Sequence, residues 1–239
     1  MSGDGRKLAA AGLIGLVIGG AGVAIASRGS GVVSGDRAKV ERIVRDYVLA
    51  HPEIIPEAME VLQGRRMAEA VDQNRAAFET PFGSAWAGAK DGDVVLVEFF
   101  DYACGYCRKS NADVERLLRE DKKLKVVWRE LPVLGPDSQA AAEVSLAAAR
   151  QGRFTDFYRR LFAAGRPAPE AVSQIRQQLG IRPAPASPEF QAEIDKNYQL
   201  ARAVNASGTP TFVVGDKVLQ GAVGYAALKK AIEEARAKG

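Results

Sequence analysis

The sequence predicts an α/β domain with a helical insertion, preceded by a helical segment and an apolar N-terminus. Three observations carry this. "DVVLVEFF", residues 93–100, and "LKVVWRELPV", residues 124–133, are nearly continuous apolar runs, the pattern of strands buried on both faces. From residue 137 to about 206 the spacing is helical throughout, broken at Gly152, between Gly165 and Pro169, and between Gly180 and Pro188. "TPTFVVGDKVLQGAV", residues 209–223, then reads as a hairpin turning at Gly215-Asp216, and "GYAALKKAIEEARAK" as a closing helix.

The elements ahead of this domain follow in order. Arg6 and Lys7 precede residues 8–27, which hold no charge, the form of a secretory signal or an N-terminal membrane anchor. Ala24-Ile25-Ala26 suits cleavage, whereas the length suits an uncleaved span, so residues 1–27 stay open between the two. Either way the rest of the chain is expected outside the cytoplasm, at the periplasmic face of the inner membrane if anchored and in the soluble periplasm if cleaved. Residues 28–36 are rich in Gly and Ser and read as a flexible linker. In residues 37–79, Val40, Ile43, Val44, Tyr47 and Val48 fall at helical spacing; His51-Pro52 interrupts them, and Ile54, Ile55, Ala58, Met59 and Leu62 resume the stripe. An apolar stripe needs a cover, either the main domain over 80–239 or another copy of the segment.

Composition excludes several classes. The chain has 239 residues, 47% of them hydrophobic and 26% charged, which is globular rather than disordered. The net charge of +4 comes from interspersed residues and not from a basic block, so nucleic acid is not an expected partner. Two cysteines permit at most one intramolecular disulfide, which rules out a disulfide-stapled scaffold.

Those two are Cys104 and Cys107, within "VEFFDYACGYCRK", at the end of a buried strand and the start of a helix. That placement is the sign of a redox-active dithiol. Unpaired N–H groups and the dipole at a helix N-terminus favour an anion, so the Cys104 thiolate is stabilised and acts as the nucleophile. Cys107, one turn further in, is placed to resolve a mixed disulfide, and Gly105 and Tyr106 between them tune the potential. A zinc site needs about four ligands, and beyond the two thiols there is one histidine, His51, in the helical segment. No metal or other cofactor is expected for the redox reading. A two-coordinate soft site for copper is the alternative, in which the chain binds or buffers metal.

The dithiol resembles the active site of the thioredoxin superfamily, and the insertion over 137–206 resembles the DsbA family of exported disulfide oxidoreductases. The resemblance covers about residues 90–239 and implies a thioredoxin fold. Glu98, six residues before Cys104, matches the family's buried acid and by that likeness relays the proton of Cys107. Thr209-Pro210 matches the cis-proline loop that offers backbone groups to an extended substrate. Catalytic roles are thus expected for Cys104, Cys107 and Glu98, and substrate binding for Thr209, Pro210, Gly105 and Tyr106. DsbA-type oxidases typically carry Pro-His between the cysteines. Here the pair is Gly-Tyr, with Thr before Pro210, both closer to the DsbC-type isomerases. The missing histidine implies a less acidic Cys104 than in DsbA.

"VRDYVLAHPEIIPEAMEVL" resembles the N-terminal segment of the suppressor of copper sensitivity protein C group, which implies a homo-oligomer through residues 37–79. The expected partners are unfolded or misfolded exported proteins and a membrane redox partner. That partner reduces the pair in an isomerase and oxidises it in an oxidase.

Overall fold

The structure is a computed structural model and describes residues 36–182 and 187–238. It falls into two compact units, divided between Val61 and Leu62. The first holds helix α1 (residues 36–50) and the start of α2 (Ile54–Gln73). Its apolar stripe is open: Val40, Ile43, Val44, Tyr47, Ile55 and Met59 are all exposed. The proposed signal or anchor over 1–27 and the linker over 28–35 lie outside the described residues. Among those described, no helix is long and apolar enough to cross a membrane.

In the second unit α3 (Arg75–Glu79) is followed by β1 (Trp86–Gly88), β2 (Val94–Phe100), α4 (Gly105–Glu120) and β3 (Leu124–Glu130). Four helices come next: α5 (Pro136–Arg150), α6 (Phe154–Ala164), α7 (Pro169–Gln178) and α8 (Pro188–Ala203). Strands β4 (Thr211–Val214) and β5 (Lys217–Gln220) and helix α9 (Tyr225–Lys238) complete it. The sheet order is β1-β3-β2-β4-β5, with β2 and β3 parallel and every other pair antiparallel. Proline stands in the first turn of α5, α7 and α8, where its missing N–H costs nothing.

Both faces of β2 are buried, which is why its sequence does not alternate. Leu96 and Phe100 join a core with α4, α5, α6 and α9, whereas Val97 and Phe99 join a second core with Phe78, Val127, Leu200 and Val204. Val71 and Phe78 are fully buried in that second core. Residues 62–79 therefore pack with the sheet, and the boundary expected at 79/80 lies earlier in the chain.

Strand β1 was not expected from sequence. Three residues are too short to show periodicity, and Gly88 takes φ +93, where an added Cβ would sit 2.2 Å from the Leu124 carbonyl oxygen. Helix α6 aims Phe154, Phe157, Tyr158, Leu161 and Phe162 inward at i, i+3, i+4, i+7 and i+8. Phe100 at the end of β2 meets this face, with ring centroids 5.1 Å from Tyr158 and 6.0 Å from Phe162. The insertion thus roofs the strand that leads to the cysteines.

Candidate active site

The turn from β2 into α4 is held by one carboxylate. Asp101 Oδ1 accepts from Ala103 N at 2.8 Å and from the Ser138 hydroxyl at 2.6 Å. Its Oδ2 accepts from Val133 N at 2.8 Å and Leu134 N at 3.0 Å. The Ala103 bond is an Asx turn, which a small acid two residues back makes readily. Cys104 then becomes the N-cap of α4, its sulfur accepting from Cys107 N at 3.4 Å. The thiol sits where a Ser or Asp oxygen usually caps a helix, so negative charge on sulfur is favoured.

Both cysteines are free thiols, Cys104 6% exposed and Cys107 wholly buried. Donation from the Cys107 thiol, aided by the backbone N–H groups of Cys107 and Tyr106, pulls Cys104 down to about 5 against the cost of burial. Burial, donation to Cys104 and the nearby Glu98 push Cys107 far above its ordinary value. One thiol ionises and its neighbour keeps its proton, the division a nucleophile and a resolving thiol require.

Glu98 lies in β2 with no exposure, paired in register with Trp128 of β3 and Phe212 of β4. Trp128 Nε1 donates to its Oε2 at 2.9 Å, and the Tyr158 hydroxyl lies 3.5 Å from the same atom. Oε1 has no partner among the described residues. Burial pushes Glu98 up to about 8, opposed by the bonds from Trp128 and Tyr158. A carboxyl that is neutral near pH 7 and buried beside a thiol is suited to exchanging a proton with it.

That shift has a thermodynamic consequence. Glu98 holds its proton more tightly folded, to about 8, than at its ordinary 4.5, so the folded state binds more protons between those values. Stability is therefore full below the lower value and falls as pH rises through the upper one. In the reduced protein, Glu98→Gln is expected to gain stability relative to the unsubstituted chain across this window. The slope approaches about 1.4 kcal/mol per pH unit. Urea unfolding of both forms at several pH values checks it, and parallel curves would contradict the assignment.

The remaining expected residues are placed as follows. The Thr209-Pro210 bond is cis, and the Cys104 thiol donates to the Thr209 carbonyl at 3.2 Å. Tyr106 is 68% exposed beside Cys104, and a Cβ on Gly105 would meet nothing within 4 Å. Tyr102 is buried, its hydroxyl 2.7 Å from Ser145 Oγ, which in turn donates to Glu130 at 2.8 Å. Arg108 and Lys109 are exposed, and His51 lies in the helical unit with its ring against Tyr47. Among the described residues no three His, Cys, Asp or Glu side chains cluster as a metal site would require.

Sequence reading missed Asp101, Asn111, Trp128 and Tyr158 as site residues. Only Asp101 carried a local signal, an acid directly after a strand and before the dithiol.

A buried acid beneath a helix-capping dithiol, on a thioredoxin-like sheet roofed by four helices, defines a thiol-disulfide exchange protein. Residues 95–233 match the family described as DSBA-like thioredoxin domain, and residues 36–69 match the copper resistance protein ScsC N-terminal domain. The chain belongs to the DsbA-like family of thiol-disulfide oxidoreductases.

Disulfide bond formation protein D of Bacillus subtilis is 27% identical over 171 residues, covering 64% of this chain and 77% of that one. A linker-deleted variant of Proteus mirabilis ScsC superimposes with TM-score 0.72 at 26% identity, covering 85% of this chain and 96% of that one. Na(+)/H(+) antiporter NhaA 3 of Salinispora tropica is 32% identical over 156 residues, covering 62% of this chain. The matched stretch spans about a quarter of that antiporter, 24% of its length.

Proposed function

We propose that this protein is an exported thiol-disulfide oxidoreductase that forms or isomerises disulfide bonds in secreted or periplasmic proteins. The observation that carries this reading is Cys104 at the N-cap of α4, with the proton-bearing Cys107 behind it and Glu98 beneath. In this account the Cys104 thiolate attacks a substrate disulfide and Cys107 resolves the mixed disulfide, passing its proton to Glu98. Thr209 and Pro210 position the substrate backbone, and Gly105 and Tyr106 face it. Residues 1–27 carry the domain out of the cytoplasm, as anchor or cleaved signal, and residues 28–36 tether it. A membrane redox partner resets the pair.

The open stripe on α1 and the first turns of α2 supports assembly through residues 37–79. A second copy of this amphipathic segment is the natural cover for apolar side chains left in water. Several dithiols on one assembly would hold a misfolded chain while its bonds are reshuffled.

The test compares the chain carrying Val40→Glu and Val44→Glu with the unsubstituted chain in reactivating a scrambled disulfide protein. Both positions are exposed, so the fold of each copy is kept. The substituted chain is expected to sediment as a smaller species and to lose roughly tenfold or more of its isomerase activity. Reduction of a small disulfide should proceed unchanged. Equal reactivation by both chains would reject the assembled isomerase and leave a simple oxidoreductase.

A second reading is favoured by the copper-resistance description of the family matching residues 36–69. In it Cys104 and Cys107 hold Cu(I) as soft ligands. A tight one-to-one Cu(I) complex without exchange activity would favour that reading over the first.

A further inference from the structure

Tyr158 has one hydroxyl proton and two acceptors competing for it. Its oxygen is 2.7 Å from Asn111 Oδ1 and 3.5 Å from Glu98 Oε2. The shorter contact takes the proton, so Tyr158 donates mainly to Asn111 and only weakly toward Glu98, whose close donor is Trp128. Tyr158 is 4% exposed, whereas Asn111 is half-buried and lines a groove between α4 and α6 with Arg108, Glu115 and Arg159. Oε1 of Glu98, the other carboxylate oxygen, is buried without a partner among the described residues. An ionised Glu98 in this pocket has one close donor, Trp128, and the Tyr158 hydroxyl 3.5 Å from Oε2 is a second that can turn toward it.

We propose that Tyr158 and Asn111 form a donor switch that sets the proton affinity of Glu98. While the Tyr158 hydroxyl donates to Asn111, Glu98 is under-solvated and holds a proton. When Glu98 ionises, the hydroxyl rotates to donate to Oε2 and Asn111 loses its bond. Asn111 therefore raises the proton affinity of Glu98 by withholding a donor, and Tyr158 lowers it by supplying one. Both are positioning residues, acting through Glu98.

The inference rests on Glu98 as the proton acceptor in resolution. In that step Glu98 in its ionised form, with Tyr158 turned toward it, takes the proton of the Cys107 thiol, and the Cys107 thiolate attacks the Cys104 sulfur of the mixed disulfide. The Cys104–Cys107 bond forms, the bond from Cys104 to the substrate sulfur breaks, and the substrate leaves as thiolate. The cysteine pair is oxidised, the substrate disulfide is reduced, and the proton rests on Glu98.

The ionisable groups facing Glu98 are Cys104 and Cys107 from the start of α4 and Tyr158 from α6. β3 presents Trp128 and β4 presents Phe212, neither of which titrates. Tyr102, whose ring centroid is 6.1 Å from that of Tyr158, is held neutral by burial.

The test is the carboxyl carbon-13 titration of Glu98 in the reduced full chain, assigned by its loss in Glu98→Gln. Asn111→Ala is expected to lower the midpoint, and Tyr158→Phe to raise it, each by about one pH unit, a tenfold change in proton affinity. The double variant should titrate like Tyr158→Phe alone, because Asn111 acts only through the hydroxyl. Shifts of the same sign, or none, would overturn the switch. Asn111 lies at the surface of α4, so Asn111→Ala decides the matter by itself if Tyr158→Phe does not fold. The resolving rate in Glu98→Gln is read separately. An unchanged rate there would remove Glu98 from the reaction while the two midpoint shifts still judge the switch.

Discussion

Replacing Cys107 with Ser is expected to turn the protein into a trap. The Cys104 thiolate still attacks a peptide disulfide, but nothing within reach breaks the bond it has formed, so a mixed disulfide accumulates one-to-one. Replacing Cys104 instead is expected to abolish exchange, because the remaining thiol is wholly buried and holds its proton far above neutral pH. The asymmetry follows from position. Cys104 caps α4 and faces the Thr209 carbonyl, whereas Cys107 lies a turn further into the core. Intact mass of each variant after exposure to a disulfide peptide checks both outcomes. An adduct on Cys104→Ser, or equal adducts on the two variants, would reverse the assigned roles.

The second large effect is on stability. Arg129 of β3 is buried at 1% exposure and spends its guanidinium on five acceptors. Nε donates to the Phe78 carbonyl at 3.0 Å, and Nη1 donates to Glu193 and Asn197 at 2.9 Å each. Nη2 donates to the carbonyls of Ala77 and Thr80. Three of these carbonyls lie at the C-terminal end of α3, where a helix lacks internal partners and favours a cation. Arg129→Met strips them all and leaves the buried Glu193 carboxylate with only the longer contact to Lys196, at 3.5 Å, among the described residues. The expected loss is about 3–5 kcal/mol, a fall in Tm on the order of 10 °C for a domain of this size. Restoring part of the loss by adding Glu193→Gln would confirm that the stranded charge is the main cost. A fall under about 1 kcal/mol would mean that water replaces the guanidinium.

The dithiol, its strand and its helix were legible because they follow one another within the chain and each has a strong pattern. Glu98 was legible only through its resemblance to the family's buried acid six residues before the first cysteine, and it is fully buried. Its partners were not legible. Tyr158 is 60 residues away and Trp128 is 30, and both read simply as apolar positions of a helix and a strand. Arg129 stands inside "VVWRE" like any charge near a strand end; only folding brings α3 and α8 against it. The boundary of the helical segment was misplaced for a similar reason. Residues 62–79 keep a helical pattern while Val71 and Phe78 change partners, from an open stripe to the core beneath the sheet. The absent histidine between the cysteines suggested a milder nucleophile. Without that histidine, the Cys107 thiol, the contact with Thr209 and the backbone N–H groups of the helix cap hold Cys104 well below the ordinary range.

The most direct measurement is the pH titration of thiolate absorbance in the reduced protein, with Cys104→Ser as the blank. The account expects one ionisation with a midpoint of about 5, absent from the blank, and no second one up to the limit of folding. A midpoint near the ordinary 9.0 would contradict it, because Cys104 would then be a capped thiol without the charge that makes it a nucleophile.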